Sequence, residues 1–227
     1  MLNFVILIRK TEDWGNVNSP FDLTPPFGNK YISKDKFAKF IVKWNANMSI
    51  NYFQYRQKMK DIAIKNMQAT GIPIATNSIE FLKNNKDNKD LFVLPTDDDD
   101  WFHPDIQEHL LSAIKKDDNY ISWVTPRMSD KGFTPQNPDA TFPYGYAYRC
   151  SEVKLKHLMI HTTVSNDNCI DKKLSLYVRN SASIHPVAIG NNVLPEIKSI
   201  PTTAPDDLKW VQPYLDQLNA IELFVKS

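Results

Sequence analysis

The segment LFVLPTDDDDWFHPDI, residues 91–106, sets four consecutive carboxylates, Asp97 to Asp100, between two stretches that a folded chain must bury. Leu91 to Leu94 are a short apolar run with charge before it and Pro95 after it, and they read as a buried strand. Trp101, Phe102 and Pro104 are expected to open an amphipathic helix with Ile106, Leu110, Leu111 and Ile114 on its apolar face. The acids are thereby pinned between packed elements at the carboxyl end of a strand, where α/β folds bind their ligands. Side chains alternate along extended backbone. Asp97 and Asp99 are therefore expected on one face, with Asp98 and Asp100 on the other and Asp100 directed away or toward the helix as its cap. Adjacent like charges repel. A divalent cation relieves that repulsion, and hard cations take oxygen ligands. The competing reading is a solvated turn, with aspartates drawn to a helix N-terminus by its dipole alone. Phe92, Val93, Leu94, Trp101 and Phe102 argue against it, because acidic tails sit in polar surroundings rich in Pro or Gly.

The rest of the chain bounds what such a site can serve. Its 227 residues suit one α/β domain, and a hydrophobic fraction of 42% supports a proper core. The formal net charge of +1 gives no bulk field for nucleic acid, and no Lys/Arg stripe is interleaved with aromatics. Cys150 and Cys169 form neither a CxxC pair nor a disulfide framework, so reduced thiols in a cytoplasmic protein are expected. The apolar start, FVILI, is too short for a secretory signal, and no run approaches a membrane span.

Along the chain, Asn3 to Ile8 read as a first buried strand, and residues 12–33 as loop. Ser33 can cap a helix containing Phe37, Phe40, Ile41 and Trp44. A second helix is expected over 53–70, through Met59, Ile62, Ala63 and Met67, with Gly71 as its stop. Short strands are expected at Ile72 to Ala75, Ile121 to Val124 and Leu174 to Val178. Residues 129–141 read as a loop long enough to act as a binding flap. Ser151 caps a further helix, and a last helix from about Asp206 is interrupted or kinked near Pro213. Phe142, Tyr144, Tyr146 and Tyr148 alternate around Gly145. They could form a sugar-stacking platform, although a half-buried strand of good strand formers is the favoured reading.

The order Asp97-Asp98-Asp99-Asp100-Trp101-Phe102-His103-Pro104 resembles the metal-binding signature of GT-A glycosyltransferases. In that family an acidic D-x-D ends a central strand. In many members it extends to D-x-D-D, a bulky pair, then Pro and a helix. The sharp match is confined to this one segment, and elsewhere the similarity is one of organisation. It extends loosely to rhamnosyltransferase-like proteins. The resemblance implies that Asp99 ligates Mn²⁺ or Mg²⁺ beside the donor's diphosphate. Asp97 would face the donor's ribose or sugar or join the metal, with Asp98 beside it in the donor site. Arg9 and Thr11 are donor-site candidates by position only, since Arg9-Lys10-Thr11 stands where the family often has a Pro-x-Tyr-Asn-like segment. His185 is the candidate for a further metal ligand from the second half of the chain, with His161 also considered; His103, His109 and His157 read as structural. If the transfer inverts configuration, an acid must take the acceptor's proton. Asp167 and Asp171 are the candidates, with Asp139 a third choice.

The expected fold is thus a single α/β domain, GT-A-like, with a mixed, mostly parallel sheet flanked by helices. Residues 1–125 would form the nucleotide-sugar and metal half and 126–227 the acceptor-side half. The expected function is metal-dependent transfer of a sugar from a nucleotide-diphosphate sugar to a hydroxyl on a glycan or glycoconjugate, with no nucleic acid and no direct membrane span. Two other readings are open: another metal-dependent phosphate enzyme, such as a nucleotidyltransferase or phosphohydrolase, and a non-catalytic nucleotide-sugar-binding module.

Overall fold

The computed structural model describes residues 2–9, 34–76, 78–129, 131–134, 145–152, 170, 175–180, 200–224 and 226. Strand β1 (Asn3–Arg9) is followed by helices α1 (Lys34–Asn47) and α2 (Tyr52–Ala69), strand β2 (Ile74–Ala75), helix α3 (Ser78–Asn85) and strand β3 (Leu91–Asp97). Next come β4 (Trp101–Phe102), α4 (Ile106–Ala113), β5 (Tyr120–Ser122), β6 (Arg127–Ser129), β7 (Gly132–Thr134) and β8 (Tyr146–Arg149). Strand β9 (Tyr177–Asn180) and helix α5 (Gln212–Asn219) complete the described elements, α5 being entered through a 3-10 turn at Asp206–Val211.

The larger sheet has the order β2-β1-β3-β8-β5. Its β1–β2 and β1–β3 pairings are parallel, while β3–β8 and β8–β5 are antiparallel. The fold is therefore mixed α/β. A smaller sheet has the order β4-β9-β6-β7, with only the β6–β9 pairing parallel.

The runs in β1 and β3 are apolar at nearly every position because both faces of the larger sheet are covered, the usual condition of parallel strands. Phe4, Ile6, Ile8, Phe92 and Leu94 face a core shared with Trp44, Met59, Met67, Ile106 and Leu110. Val5, Leu7, Leu91 and Val93 face a second core with Tyr146 and Tyr148, against which Phe81 and Leu82 of α3 pack. Each fully buried Ile or Leu here contributes about 1.5–3 kcal/mol of transfer free energy. Tyr146 and Tyr148 are thus core residues, as the strand reading of FPYGYAYR held; Phe142 and Tyr144 lie outside the described residues.

Helix α2 buries Tyr52, Tyr55, Arg56, Met59, Ile62, Ala63, Asn66 and Met67, a stripe at three- and four-residue spacing. The Asn51 side chain caps it, accepting from the Phe53 and Gln54 amides at 2.8 and 3.4 Å. Gly71 ends it with φ of +71°. A Cβ there would touch only the Gln107 Oε1 at 3.9 Å, an ordinary contact. Gly71→Ala is therefore expected to cost only the left-handed backbone penalty, about 1 kcal/mol, measurable by urea denaturation; a loss several times larger would mean a clash.

Some expectations need correction. Trp101 and Phe102 do not open a helix: they form β4, paired with Val178 and Tyr177 of β9, and α4 begins at Ile106. A ring contact supports the pairing, because Phe102 meets Tyr177 edge-on at 4.8 Å, and Trp101 meets Tyr214 of α5 at 6.1 Å. The last helix is interrupted near Pro213, as expected, because the 3-10 turn at Asp206–Val211 gives way to α5 at Gln212, but Pro213 itself makes no kink. It sits in the first turn of α5, where its missing N–H leaves no bond unmade, and the irregular backbone lies earlier, at Leu208. Within 129–141, the described part is not loop but the β6–β7 hairpin, turned at Gly132 with φ of +96°. The strand expected at 121–124 is β5 plus a single parallel bridge from Val124 to Ser175, and the late strand is shifted to Tyr177–Asn180. No helix among the described residues is long and apolar enough to cross a membrane.

Candidate metal centre

Strand β3 is buried over its whole length and delivers Thr96 and Asp97 to the carboxyl end of the larger sheet. Its β1 neighbour keeps register to the end, setting Arg9 opposite Asp97. Antiparallel β8, by contrast, pairs only with Phe92 and Val93. Pro95, which has no N–H to donate, thus lies past the described part of that ladder. At Asp98 and Asp99 the chain turns, then re-enters regular structure as β4.

This turn overrides the expected alternation of the four acids. Asp97, Asp99 and Asp100 come together, each offering a carboxylate oxygen within 4.8 Å of the others'. Asp100 does not point away, and it caps no helix, since Asp105 occupies the position before α4. All four are buried, at 7, 3, 2 and 1% exposure in chain order. The solvated-turn reading is therefore ruled out by position.

The surrounding groups divide the acids. Arg56 of α2 reaches in with one nitrogen to each of two carboxylates: Nη2 to Asp98 Oδ1 at 2.6 Å and Nη1 to Asp99 Oδ2 at 3.1 Å. Burial alone would pull the Arg56 guanidinium down, but Asp99 and Asp98 outweigh it and push its pKa up, so it stays charged. Asp100 is held by the second sheet. The Asn180 amide donates to its Oδ1 at 2.8 Å, and the Tyr177 hydroxyl donates to its Oδ2. Burial, then the charges of Asp99 and Asp97, push the Asp100 carboxyl well above its ordinary range, opposed by Arg179 and the Tyr177 bond. Burial, with Asp100 and Asp97 adding to it, likewise keeps the Tyr177 hydroxyl protonated. Tyr177 also meets the Thr96 hydroxyl at 2.9 Å, tying β9 to the end of β3.

The far side of the turn is fixed just as firmly. Asn66, fully buried about three turns along α2 from Arg56, exchanges two bonds with the Phe102 backbone: Nδ2 to the carbonyl at 2.8 Å and the amide to Oδ1 at 2.7 Å. Helix α2 therefore grips the acidic turn at its centre through Arg56 and at its exit through Asn66. His103, next in line, accepts the Asp105 amide at Nδ1, 3.1 Å away, and packs edge-on against Trp210. That supports its structural reading.

Oxygens sharing one hard cation lie at most about 4–5 Å apart, twice the metal–oxygen distance. The Asp97, Asp99 and Asp100 group meets that limit, and its all-oxygen chemistry suits Mg²⁺ or Mn²⁺. Two of the three carboxylates, Asp97 and Asp99, are those expected from sequence; the third among the described residues is Asp100. Asp98, expected in the donor site, is engaged by Arg56. Arg9 ends β1 beside Asp97, with only its backbone described. Thr11, Asp139, His161, Asp167, Asp171 and His185 lie outside the described residues. The sequence reading missed Arg56, Asn66, Tyr177 and Asn180. The one available signal was Arg56 itself, a charge in step with Tyr52, Met59 and Ala63 on an apolar stripe. Comparison of the chain with protein-family models, with curated proteins and with solved structures finds no match.

Proposed function

We propose that the chain is a metal-dependent glycosyltransferase of GT-A-like fold, moving a sugar from a nucleotide-diphosphate donor to a hydroxyl acceptor. The observation that carries this reading is the convergence of Asp97, Asp99 and Asp100 at the carboxyl end of a central strand, buried and within reach of one cation. Parallel β1 and β3 end together at that point, which is where an α/β sheet receives a nucleotide. Asp97, Asp99 and Asp100 would hold Mn²⁺ or Mg²⁺. When bound, such an ion neutralises charge developing on a leaving diphosphate. The chain's own residues prepare the place: Arg56 balances Asp98 and Asp99, and Tyr177 and the Asn180 amide fix Asp100. Trp101 and Phe102, buried directly after the acids, anchor the exit of the turn.

Other metal-dependent phosphate enzymes share carboxylate chemistry, but two-metal sites gather acids from several segments. Here the only grouped carboxylates among the described residues come from one tetrapeptide, which favours the transferase. The test is calorimetric titration with a panel of nucleotide-diphosphate sugars, with and without Mn²⁺, followed by product analysis with hydroxyl acceptors. The expected result is Mn²⁺-dependent binding of at least one donor and glycoside formation from it. Mn²⁺-dependent binding without turnover would favour the binding module. Hydrolysis or nucleotidyl transfer in place of glycosyl transfer would favour the phosphate enzyme.

A further inference from the structure

We infer that Arg56 is a positioning residue for the cation site, not only an ion pair of the fold. This rests on the reading of Asp97, Asp99 and Asp100 as cation ligands. Asp99 is the member of that group that Arg56 touches, through Oδ2 at 3.1 Å. The same guanidinium takes Asp98 at 2.6 Å, and Asp98 is the acid outside the group. A planar fork with one nitrogen on each carboxylate fixes both side chains at once. It selects which of the four acids faces the cation, and it fixes the orientation of the Asp99 carboxylate. Its mounting is rigid: Arg56 is 6% exposed and sits within the core stripe of α2. Asn66, on the same helix, is bonded to Phe102, just past the acids. The helix and the acidic turn are therefore tied together at both points.

Charge and positioning make opposite demands, which exposes the role to test. A positive group beside a cation site repels the cation. If Arg56 acted through its charge alone, removing it would tighten Mn²⁺ binding, and replacing it by lysine would change nothing. If it positions Asp99, both changes weaken binding. Lysine is a point charge that cannot hold two carboxylates in fixed geometry.

The experiment is titration of Mn²⁺ alone into the metal-free parent, Arg56→Lys and Arg56→Met, read by the electron paramagnetic resonance of free Mn²⁺. Circular dichroism establishes that each variant is folded, and Arg56→Lys decides the matter should Arg56→Met fail to fold. The expected result is weakening by about 10- to 100-fold in Arg56→Lys, the usual effect of removing a group that orients a metal ligand. Parent-like or tighter Mn²⁺ binding by folded Arg56→Lys would overturn the inference and leave the cation site standing. A parent that binds no Mn²⁺ would overturn the cation site itself, and the inference with it.

Discussion

Asp99→Asn is expected to weaken Mn²⁺ binding by about 100-fold or more, equivalent to about 2.8 kcal/mol, and to make binding of a nucleotide-diphosphate sugar weak and nearly independent of Mn²⁺. The amide keeps the shape of the carboxylate and removes its charge, so the cation loses an anionic ligand. The effect should exceed that of changing Arg56, because Asp99 is in the ligand group and Arg56 only holds it. The fold should tolerate the change. The amide oxygen of the substituted side chain can still accept from Arg56, and the loss from a charge-assisted to a neutral bond is about 1–2 kcal/mol. Relief of repulsion within the group acts in the other direction. Calorimetry with Mn²⁺, and thermal unfolding in EDTA, measure the two effects separately. Parent-like binding of both Mn²⁺ and donor by Asp99→Asn would sink the functional reading, whatever the fold.

That the acids would be held in place was legible in the sequence, whereas how they are held was not. Leu91 to Leu94 declare a buried strand by apolarity alone, and the strand continues through Asp97 with every residue buried. Met59, Ile62, Ala63 and Met67 declare α2 by their spacing, and Gly71 declares its end. The failure began after Asp97. Alternation assumes extended backbone, but the chain turns at Asp98 and Asp99, and nothing local announces that turn. Its cause is remote: Arg56 lies 42 and 43 residues before the two acids, and Tyr177 and Asn180 lie 77 and 80 residues from Asp100. The same remoteness hid β4. Trp101 and Phe102 suit a helix start and a strand equally, and the choice is made by Tyr177 and Val178 across the smaller sheet. Tertiary partners overrode local preference at the one place where four like charges had to be accommodated.

Asp100→Asn should reveal the cost of that accommodation. Of the four acids Asp100 is the most buried, and its carboxyl is pushed up first by burial and then by Asp99 and Asp97. Folded protein therefore binds this proton more tightly than unfolded chain does. Between the ordinary value, 3.8, and the raised one, the native state carries more protons, so stability falls as pH rises through that window. In EDTA the parent should accordingly lose stability as pH climbs above the ordinary carboxylate range, and Asp100→Asn should lack that contribution. The amide can keep both partners of the carboxylate. Its oxygen accepts from the Asn180 amide, and its nitrogen donates to Tyr177, whose hydroxyl turns to Thr96, which in turn donates to the Asp97 carbonyl. Release from burial of a charge and from repulsion by Asp99 and Asp97 is expected to outweigh the about 1–2 kcal/mol lost to weaker hydrogen bonds, so the variant should be the more stable at pH 7 without metal. Saturating Mn²⁺ should reverse the order. The parent gains about 2.7 kcal/mol at a hundredfold excess over its Kd, and the variant, lacking one anionic ligand, gains less. Urea unfolding across pH, with EDTA or with Mn²⁺, reads both halves. A variant less stable than the parent in EDTA at pH 7, with the same pH slope, would show that Asp100 is an ordinary structural acid, and stabilisation of the variant by Mn²⁺ as large as the parent's would leave the cation group as Asp97 and Asp99 without it.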